Sequence, residues 1–225
     1  MKLIHGNLNY SSWSIRPWLL LTQSQLPFEA ELAPLSGKGW RENLTAKSPT
    51  GKVPVLIDGD LVIPETIAII EYIAESHPDA GIWPVDRKAR ALARAAAAEM
   101  HAGFTQLRNA APVNLRSDLP GRVNIDEVAG DLSRIETLWG GHLDRYGGPF
   151  LFGAFSAADA MFAPLASRLR TYSLPVSDTV AGYVEAIYAL PSFQELLRRA
   201  EAEPWIVERD EIDILLSGRA PNDDS

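Results

Sequence analysis

Two short stretches, Ser-Pro-Thr-Gly-Lys-Val-Pro-Val-Leu (Ser48 to Leu56) and Pro-Glu-Thr (Pro64 to Thr66), hold the residue types from which a peptide-binding site can be built. Proline has no N–H for a sheet ladder, so Pro54, followed by Val55, Leu56 and Ile57, belongs at the mouth of a strand. The Val53–Pro54 bond is a candidate for the cis form, which about 5% of X–Pro bonds in folded proteins adopt. In that form the N–H and C=O of Val53 would face outward, ready to pair with an extended ligand. Glu65 and Thr66 open an apolar helix (Ile67, Ile69, Ile70, Tyr72, Ile73) whose unpaired first N–H groups favour a carboxylate. The combination suits a small peptide carrying its own α-carboxylate and α-amine.

These residues need a scaffold, and the patterning supplies one. Lys2 to His5 reads as a buried strand, Ser14 to Gln23 as a helix, Phe28 to Ala33 as a second strand and Trp40 to Ala46 as a short helix. Val53–Ile57 and Leu61–Ile63 flank Asp58-Gly59-Asp60, a hairpin turn signal, and a helix follows from Glu65 to Ser76. This βαβ unit, hairpin and helix describe a thioredoxin-like α/β domain over residues 1–80. Pro78, Gly81, Trp83 and Pro84 mark a linker, 81–87. The remainder, 88–225, reads as an all-helical domain: one long helix from Lys88 to Arg108, then Val123 to Tyr146, Ala157 to Arg170, Val180 to Ala189 and Ser192 to Ala202. Ser156-x-x-Asp159 has the form of a structural capping box. The polar tail, Gly218 to Ser225, is expected to be mobile.

Pro17 belongs in the first turn of its helix, where its missing N–H costs nothing, which makes Ser14 the N-cap and leaves Ser11 and Ser12 in the preceding loop. On their own, serines before a helix read as caps.

Composition narrows the chemistry. The 225 residues suit two modest domains or one large one, and 46% are apolar, enough for a core. A net charge of −8 without basic clusters argues against nucleic acid or an anionic membrane as partner. With no apolar run long enough to span a bilayer and a strand beginning almost at Met1, a soluble cytoplasmic protein is expected. The chain has no cysteine, so disulfides, thiolate metal sites and any enzyme-thiol mechanism are excluded, and a reactive sulfur must arrive with a ligand. Its 4 histidines, His5, His77, His101 and His142, lack ligand spacing, and no metal is expected.

With these motifs in hand, the chain resembles the soluble glutathione transferases over nearly its whole length. Asn9 to Trp18 (Asn-Tyr-Ser-Ser-Trp-Ser-Ile-Arg-Pro-Trp) resembles the Ser-Ser-Cys-x-x-Arg motif of the zeta class, which includes maleylacetoacetate isomerases. Phe155 to Pro164 is similar to the superfamily's capping-box segment. Trp13 stands at the family's cysteine position, Pro17 and Trp18 replace its Val-Arg, and Glu65 stands where the zeta class has glutamine.

The resemblance implies glutathione as cofactor or co-substrate, a homodimer, and roles for particular residues. Aligning Arg16 with the motif's arginine sets Ser11 and Ser12 against its paired serines. Ser11 is then the hydroxyl that stabilises the thiolate, with Ser12 second and Tyr10 a substitute; Arg16, read from its own position, orients the loop, lends positive potential or forms a surface ion pair. Val53, beside Pro54, would pair with the cysteinyl peptide. Thr66 would hold the glutamyl carboxylate through hydroxyl and N–H, Glu65 the ammonium, and Lys52 the glycine carboxylate, with Lys38 or Trp40 assisting. A free thiol of pKa near 8.5 is only about 3% thiolate at pH 7. Lowering it by two units requires about 2.7 kcal/mol. A hydroxyl donating to the anion supplies roughly 1.5–3 kcal/mol and a helix end about 0.3–1.

The second substrate is expected between the Ser11 loop and the long helix, near Tyr10, Trp13, His101, Phe104 and Arg108, with Met100 and Leu107 on the same stripe; Arg116 is a further candidate for an acidic group. These readings converge on a glutathione transferase attacking a small electrophile, with zeta-like cis–trans isomerisation of an unsaturated diacid as the leading variant. Conjugation, peroxide reduction and a non-catalytic ligand-binding or scaffold protein of the same fold are the alternatives.

Overall fold

Short apolar runs near the N-terminus build a four-stranded sheet in the order β2-β1-β3-β4. The computed structural model describes residues 1–218; of the polar tail, everything from 219 onward lies outside the described residues. Strand β1 (Lys2–His5) pairs in parallel with β2 (Glu29–Leu32) and antiparallel with β3 (Val55–Asp58), which forms a hairpin with β4 (Leu61–Pro64). The central strands carry the buried Leu3, Ile4, Val55 and Leu56, whereas the edges expose Glu29 on one side and Leu61 and Val62 on the other. Gly59, at φ 61°, makes the tight turn of the hairpin.

Helix α1 (Ser12–Gln23) crosses between β1 and β2, α2 (Trp40–Lys47) follows β2, and α3 (Thr66–Ser76) follows the hairpin. The rest is helical: α4 (Arg87–Ala102), α5 (Thr105–Ala110), α6 (Ile125–Tyr146), α7 (Ala157–Thr171), α8 (Asp178–Ala189), α9 (Pro191–Ala202) and α10 (Ile212–Leu216). This is the thioredoxin-like unit and helical bundle that the patterning describes. Helix α1 packs against α3, α7 and α9, so one continuous core joins sheet and bundle. Among the described residues, no helix is long and apolar enough to cross a membrane.

Two local features differ from the sequence reading. The helix expected from Lys88 to Arg108 is broken: Gly103 is extended and Phe104 sits at φ 57° before α5 begins. A side chain at position 103 would bring Cβ to 2.8 Å from the Glu99 carbonyl oxygen, so the chain can leave α4 this closely only through glycine. The Phe104 ring, buried edge-on against Phe162, compensates for its left-handed backbone.

The second difference lies at the start of α1. Ser11, not Ser14, is the N-cap, accepting the Ser14 N–H at 3.3 Å, and Ser12 is already helical. Pro17 therefore lies beyond the first turn and leaves the carbonyl of Trp13, four residues back, without its helical donor. The buried Thr66 hydroxyl fills the gap, donating to that carbonyl at 3.1 Å. The starts of α1 and α3 are thus stitched together by the bond that proline removed from the helix.

In the bundle, the capping box closes as expected. Buried Asp159 accepts from the backbone N–H groups of Leu151 and Ser156 and from the Ser156 and Tyr183 hydroxyls. Burial pushes its carboxyl up to about 6 despite these donors.

Two stability predictions follow from this architecture. Asp159→Ala orphans several buried donors and should cost about 3 kcal/mol in urea unfolding; a loss within the ±0.5 kcal/mol of an ordinary surface substitution would contradict the role given to the box. Thr66→Val should cost about 1–3 kcal/mol by leaving the Trp13 carbonyl unpaired. Adding Pro17→Ala, which returns an N–H to that carbonyl, should recover a large part of the loss; strictly additive effects would show that the two residues do not share it.

Candidate active site

Where the two units meet, a cavity of about 520 Å³ opens. The loop into α1 forms its floor with Tyr10, Ser11, Ser12 and Trp13, and Lys52 and Val53 form one wall. Arg108, Pro112 and Val113 form the facing wall with Arg168 of α7. The C-terminal segment closes it through Arg209, Asp210 and Leu215. The pocket therefore requires both units and the return of the chain end.

Ser11 reaches this floor because it caps α1. Its hydroxyl oxygen accepts the Ser14 N–H, and its proton lies toward the Ser14 hydroxyl oxygen at 2.9 Å. Ser14 is buried and also accepts the Gly6 N–H at 2.9 Å. Capping uses a lone pair of Ser11 and leaves its proton able to turn elsewhere, so the cap and a donor to an anion are compatible in one residue. The Ser12 hydroxyl, on the first helical residue, has no hydrogen-bond partner among the described residues. Both serines lie at a helix N-terminus, where the peptide dipoles favour negative charge.

The charges around the cavity are mostly positive. Arg16 is fully buried, stacked over the Trp13 ring at 4.2 Å, and only its Nε finds a partner, the Met161 carbonyl at 2.8 Å. Burial pulls its pKa well down, yet a guanidinium stays cationic at any working pH. Arg108 also lies over Trp13, at 5.0 Å, and donates to the Gly103 and His101 carbonyls. Arg168 donates to the carbonyls of Ala111 at 2.6 Å and Pro164 at 3.0 Å. Burial lowers its pKa to about 10, still far above neutrality. These guanidinium groups are held by carbonyls and a ring instead of carboxylates, so their field remains available to an anion.

The peptide-binding residues gather at one edge. The Val53–Pro54 bond is cis. Glu65 adopts φ 85° and ψ 132°, a backbone rarely seen outside glycine, and caps α3 by accepting the N–H groups of Ile67 and Ala68. Its other oxygen lies 3.1 Å from His101 Nε2. The Thr66 hydroxyl is committed to Trp13, so an anion here would meet the Thr66 N–H, which as the first of α3 has no intrahelical acceptor. The Lys52 side chain is exposed, with no ion pair among the described residues.

Several expected residues fall elsewhere. Phe104, placed in the substrate pocket by helical spacing, lies in the core with Met100 and Leu107, because the break at Gly103 rotates it away. His101 packs edge-on to Trp13 and meets Glu65, outside the cavity wall. The Tyr10 hydroxyl is held by Glu211 at 2.5 Å and by Arg116 at 2.8 Å, and burial, followed by the Glu211 bond, pushes it up to about 12, which makes it a poor substitute thiol activator. Arg116 spends its guanidinium on Tyr10 and on the Glu203 and Trp205 carbonyls and is not available to a substrate. The sequence reading missed Arg168, Arg209 and Asp210. Arg168 left a trace, a lone charge in the largely apolar stretch Met161 to Leu169; Arg209 and Asp210 left none, because the return of the C-terminal segment is a tertiary event.

Comparison with known proteins places this geometry in context. Residues 10–76 match the glutathione S-transferase N-terminal domain family model. Glutathione S-transferase 1 of Dianthus caryophyllus is 31% identical over 152 residues, which cover 65% of this chain and 68% of that protein. A probable maleylacetoacetate isomerase of Caenorhabditis elegans is 28% identical over 189 residues, 81% of this chain and 86% of that one. Among solved structures, a glutathione transferase homologue from Burkholderia gl BGR1 with bound glutathione superposes with a TM-score of 0.68 at 26% identity, covering 90% of this chain and 98% of that one. The holo structure of maleyl pyruvate isomerase, a bacterial zeta-class enzyme, has a TM-score of 0.68 at 22% identity, covering 91% and 99%, which supports the fold. A serine-floored cavity between a thioredoxin-like unit and a helical bundle, together with these relatives, leads to one assignment: the chain belongs to the glutathione S-transferase family.

Proposed function

We propose that this transferase binds glutathione along Lys52–Val53 and the start of α3, ionises its thiol at Ser11, and directs the thiolate at an anionic, unsaturated electrophile. The observation that carries the reading is a serine hydroxyl at a helix N-terminus opening on a cavity where Arg108 and Arg168 are held by carbonyls and have no carboxylate partner among the described residues. On binding, the Ser11 proton turns from Ser14 to the sulfur. That bond supplies roughly 1.5–3 kcal/mol and the helix end about 0.3–1, which together cover the two-unit drop a reactive thiolate needs.

The cations select the partner. Arg108 and Arg168 suit carboxylates, and an unsaturated diacid offers one at each end of the molecule. Thiolate addition, rotation about the resulting single bond and expulsion of the thiolate convert cis to trans. Glutathione then acts as a cofactor and leaves unchanged. The maleyl-type substrates in the names of two relatives support this choice. The working unit in this reading is a cytoplasmic homodimer, which would cover the apolar Leu61–Val62 edge.

Ser11→Ala should lower kcat about 30-fold while KM for glutathione changes little, as losing roughly 2 kcal/mol of thiolate stabilisation requires. Ser12→Ala should have the smaller effect; the reverse order would make Ser12 the activating hydroxyl, and no loss in either would reject a serine mechanism. Arg168→Met, with Arg168→Lys as a charge-retaining control, should raise KM for a diacid by about 10-fold or more relative to a neutral electrophile. Equal changes for both substrates would remove Arg168 from substrate recognition.

A further inference from the structure

The cavity that opens on Ser11 is lined by arginines, yet one wall residue is acidic. Among the described residues that line it, Asp210 is the one carboxyl group. It ends a single 3-10 turn, Glu208–Asp210, pinned on both sides. Before the turn, Val207 is buried in the apolar cluster that also holds Ile4, Tyr10 and Val55. After it, Glu211 holds the Tyr10 hydroxyl and the Asn114 side-chain amide. Glu203, further back, accepts the Leu8 and Asn9 N–H groups. These neighbouring carboxylates are spent on structure. Asp210 is not: its side chain accepts no hydrogen bond among the described residues, and its nearest cation, Arg209 Nε, stands off at 3.8 Å. A carboxyl fixed in position, unused by the fold and facing the reaction space calls for a chemical role.

The proposed reaction leaves one group unassigned. When a thiolate adds to a double bond conjugated with a carbonyl, negative charge develops on the carbonyl oxygen. Ser11 cannot neutralise it, because its proton is engaged with the sulfur. The arginines attract the charge but do not give up protons near neutral pH. We propose that Asp210 in its acid form is the proton donor to the carbonyl oxygen of an α,β-unsaturated carbonyl electrophile as the glutathione thiolate adds to its double bond. This assignment rests on the glutathione-addition reading above.

The step balances. The sulfur–carbon bond forms, the π pair of the double bond moves through the conjugated carbonyl to its oxygen, and the O–H bond of Asp210 breaks as the proton passes to that oxygen. An enol and an aspartate remain. After rotation about the former double bond, the aspartate takes the proton back, the carbonyl reforms, and the electron pair returns to carbon as the sulfur–carbon bond breaks. No proton is gained or lost overall.

The electrostatic surroundings suit a donor. Burial pushes Asp210 up to about 6 although about a third of its side chain stays solvent-accessible; Arg209 and Arg168 pull it down and Glu211 pushes it up. Tyr172, which caps the C-terminal end of α7, also faces it, and burial keeps that phenol neutral. A minor fraction of Asp210 is then in the acid form at neutral pH, a fraction that grows as pH falls. Addition needs both thiolate and acid-form Asp210, so its rate should rise and then fall with pH. Aromatic substitution, in which chloride leaves and no proton is taken up, needs only the thiolate and should rise to a plateau.

The test compares the full-length protein with Asp210→Asn and Asp210→Glu on two substrates, each with glutathione: maleylacetone, a cis-unsaturated keto acid, and chlorodinitrobenzene. The ratio of addition to substitution kcat/KM cancels damage common to both. Asp210→Asn should lower that ratio about 100-fold, the usual order for a lost general acid, and turn the bell-shaped addition profile into a simple rise. Asp210→Glu should restore part of the ratio. An unchanged ratio, or a bell that survives Asp210→Asn, overturns the assignment. Substitution without addition in the unaltered protein overturns it and leaves transferase activity standing. Turnover of neither substrate rejects the glutathione reading itself, and the assignment with it.

Discussion

One backbone carbonyl organises this molecule. Pro17 takes away the N–H that should bond to the Trp13 carbonyl, and Thr66 supplies a hydroxyl in its place. That bond fixes the start of α1 against the start of α3. Ser11 caps the first helix and Glu65 the second, so in the proposed binding mode the spacing between the thiol end and the glutamyl end of glutathione would be set by an interaction buried beneath both. Trp13, whose carbonyl takes part, also carries Arg16 and Arg108 on its ring, so the same residue joins the backbone scaffold to the positive charge of the cavity.

Much of this was legible in the sequence because it follows from local rules. The Asp58-Gly59-Asp60 turn, the Ser156–Asp159 capping box and the proline at a strand mouth each depend on neighbours a few residues away, and each stands where patterning puts it. Errors arose where local rules compete. Pro17 favours a first-turn position, but the Thr66 hydroxyl makes an interior one tolerable, which moves the helix start back to Ser12. Ala-rich periodicity runs through Gly103 without a break, yet close passage over the Glu99 carbonyl ends the helix there and swings Phe104 into the core.

The site itself was half legible. Residues Ser11, Ser12, Lys52 and Val53 line the cavity, as motif spacing suggests, and so do Tyr10, Trp13 and Arg108. The polar far wall was not legible, because no short-range pattern brings residues 203–215 back over the N-terminal loop. What holds that segment is a dense set of buried contacts: Glu203 to the Leu8 and Asn9 N–H groups, Glu211 to Tyr10 and Asn114, and Arg116 to carbonyls of the segment. Tyr10 therefore works as an anchor for this closure, its hydroxyl held by Glu211 and Arg116 although it lies next to Ser11 on the cavity floor.

The central claim is that the start of α1 turns the glutathione thiol into a thiolate at neutral pH. Ultraviolet difference absorption of the protein titrated with glutathione across pH tests it without any assumption about the electrophile. The account predicts thiolate absorbance that titrates about two units below the free thiol near 8.5. Glutathione that binds while its thiol keeps the free value would contradict it and leave a glutathione-binding protein without an activating site.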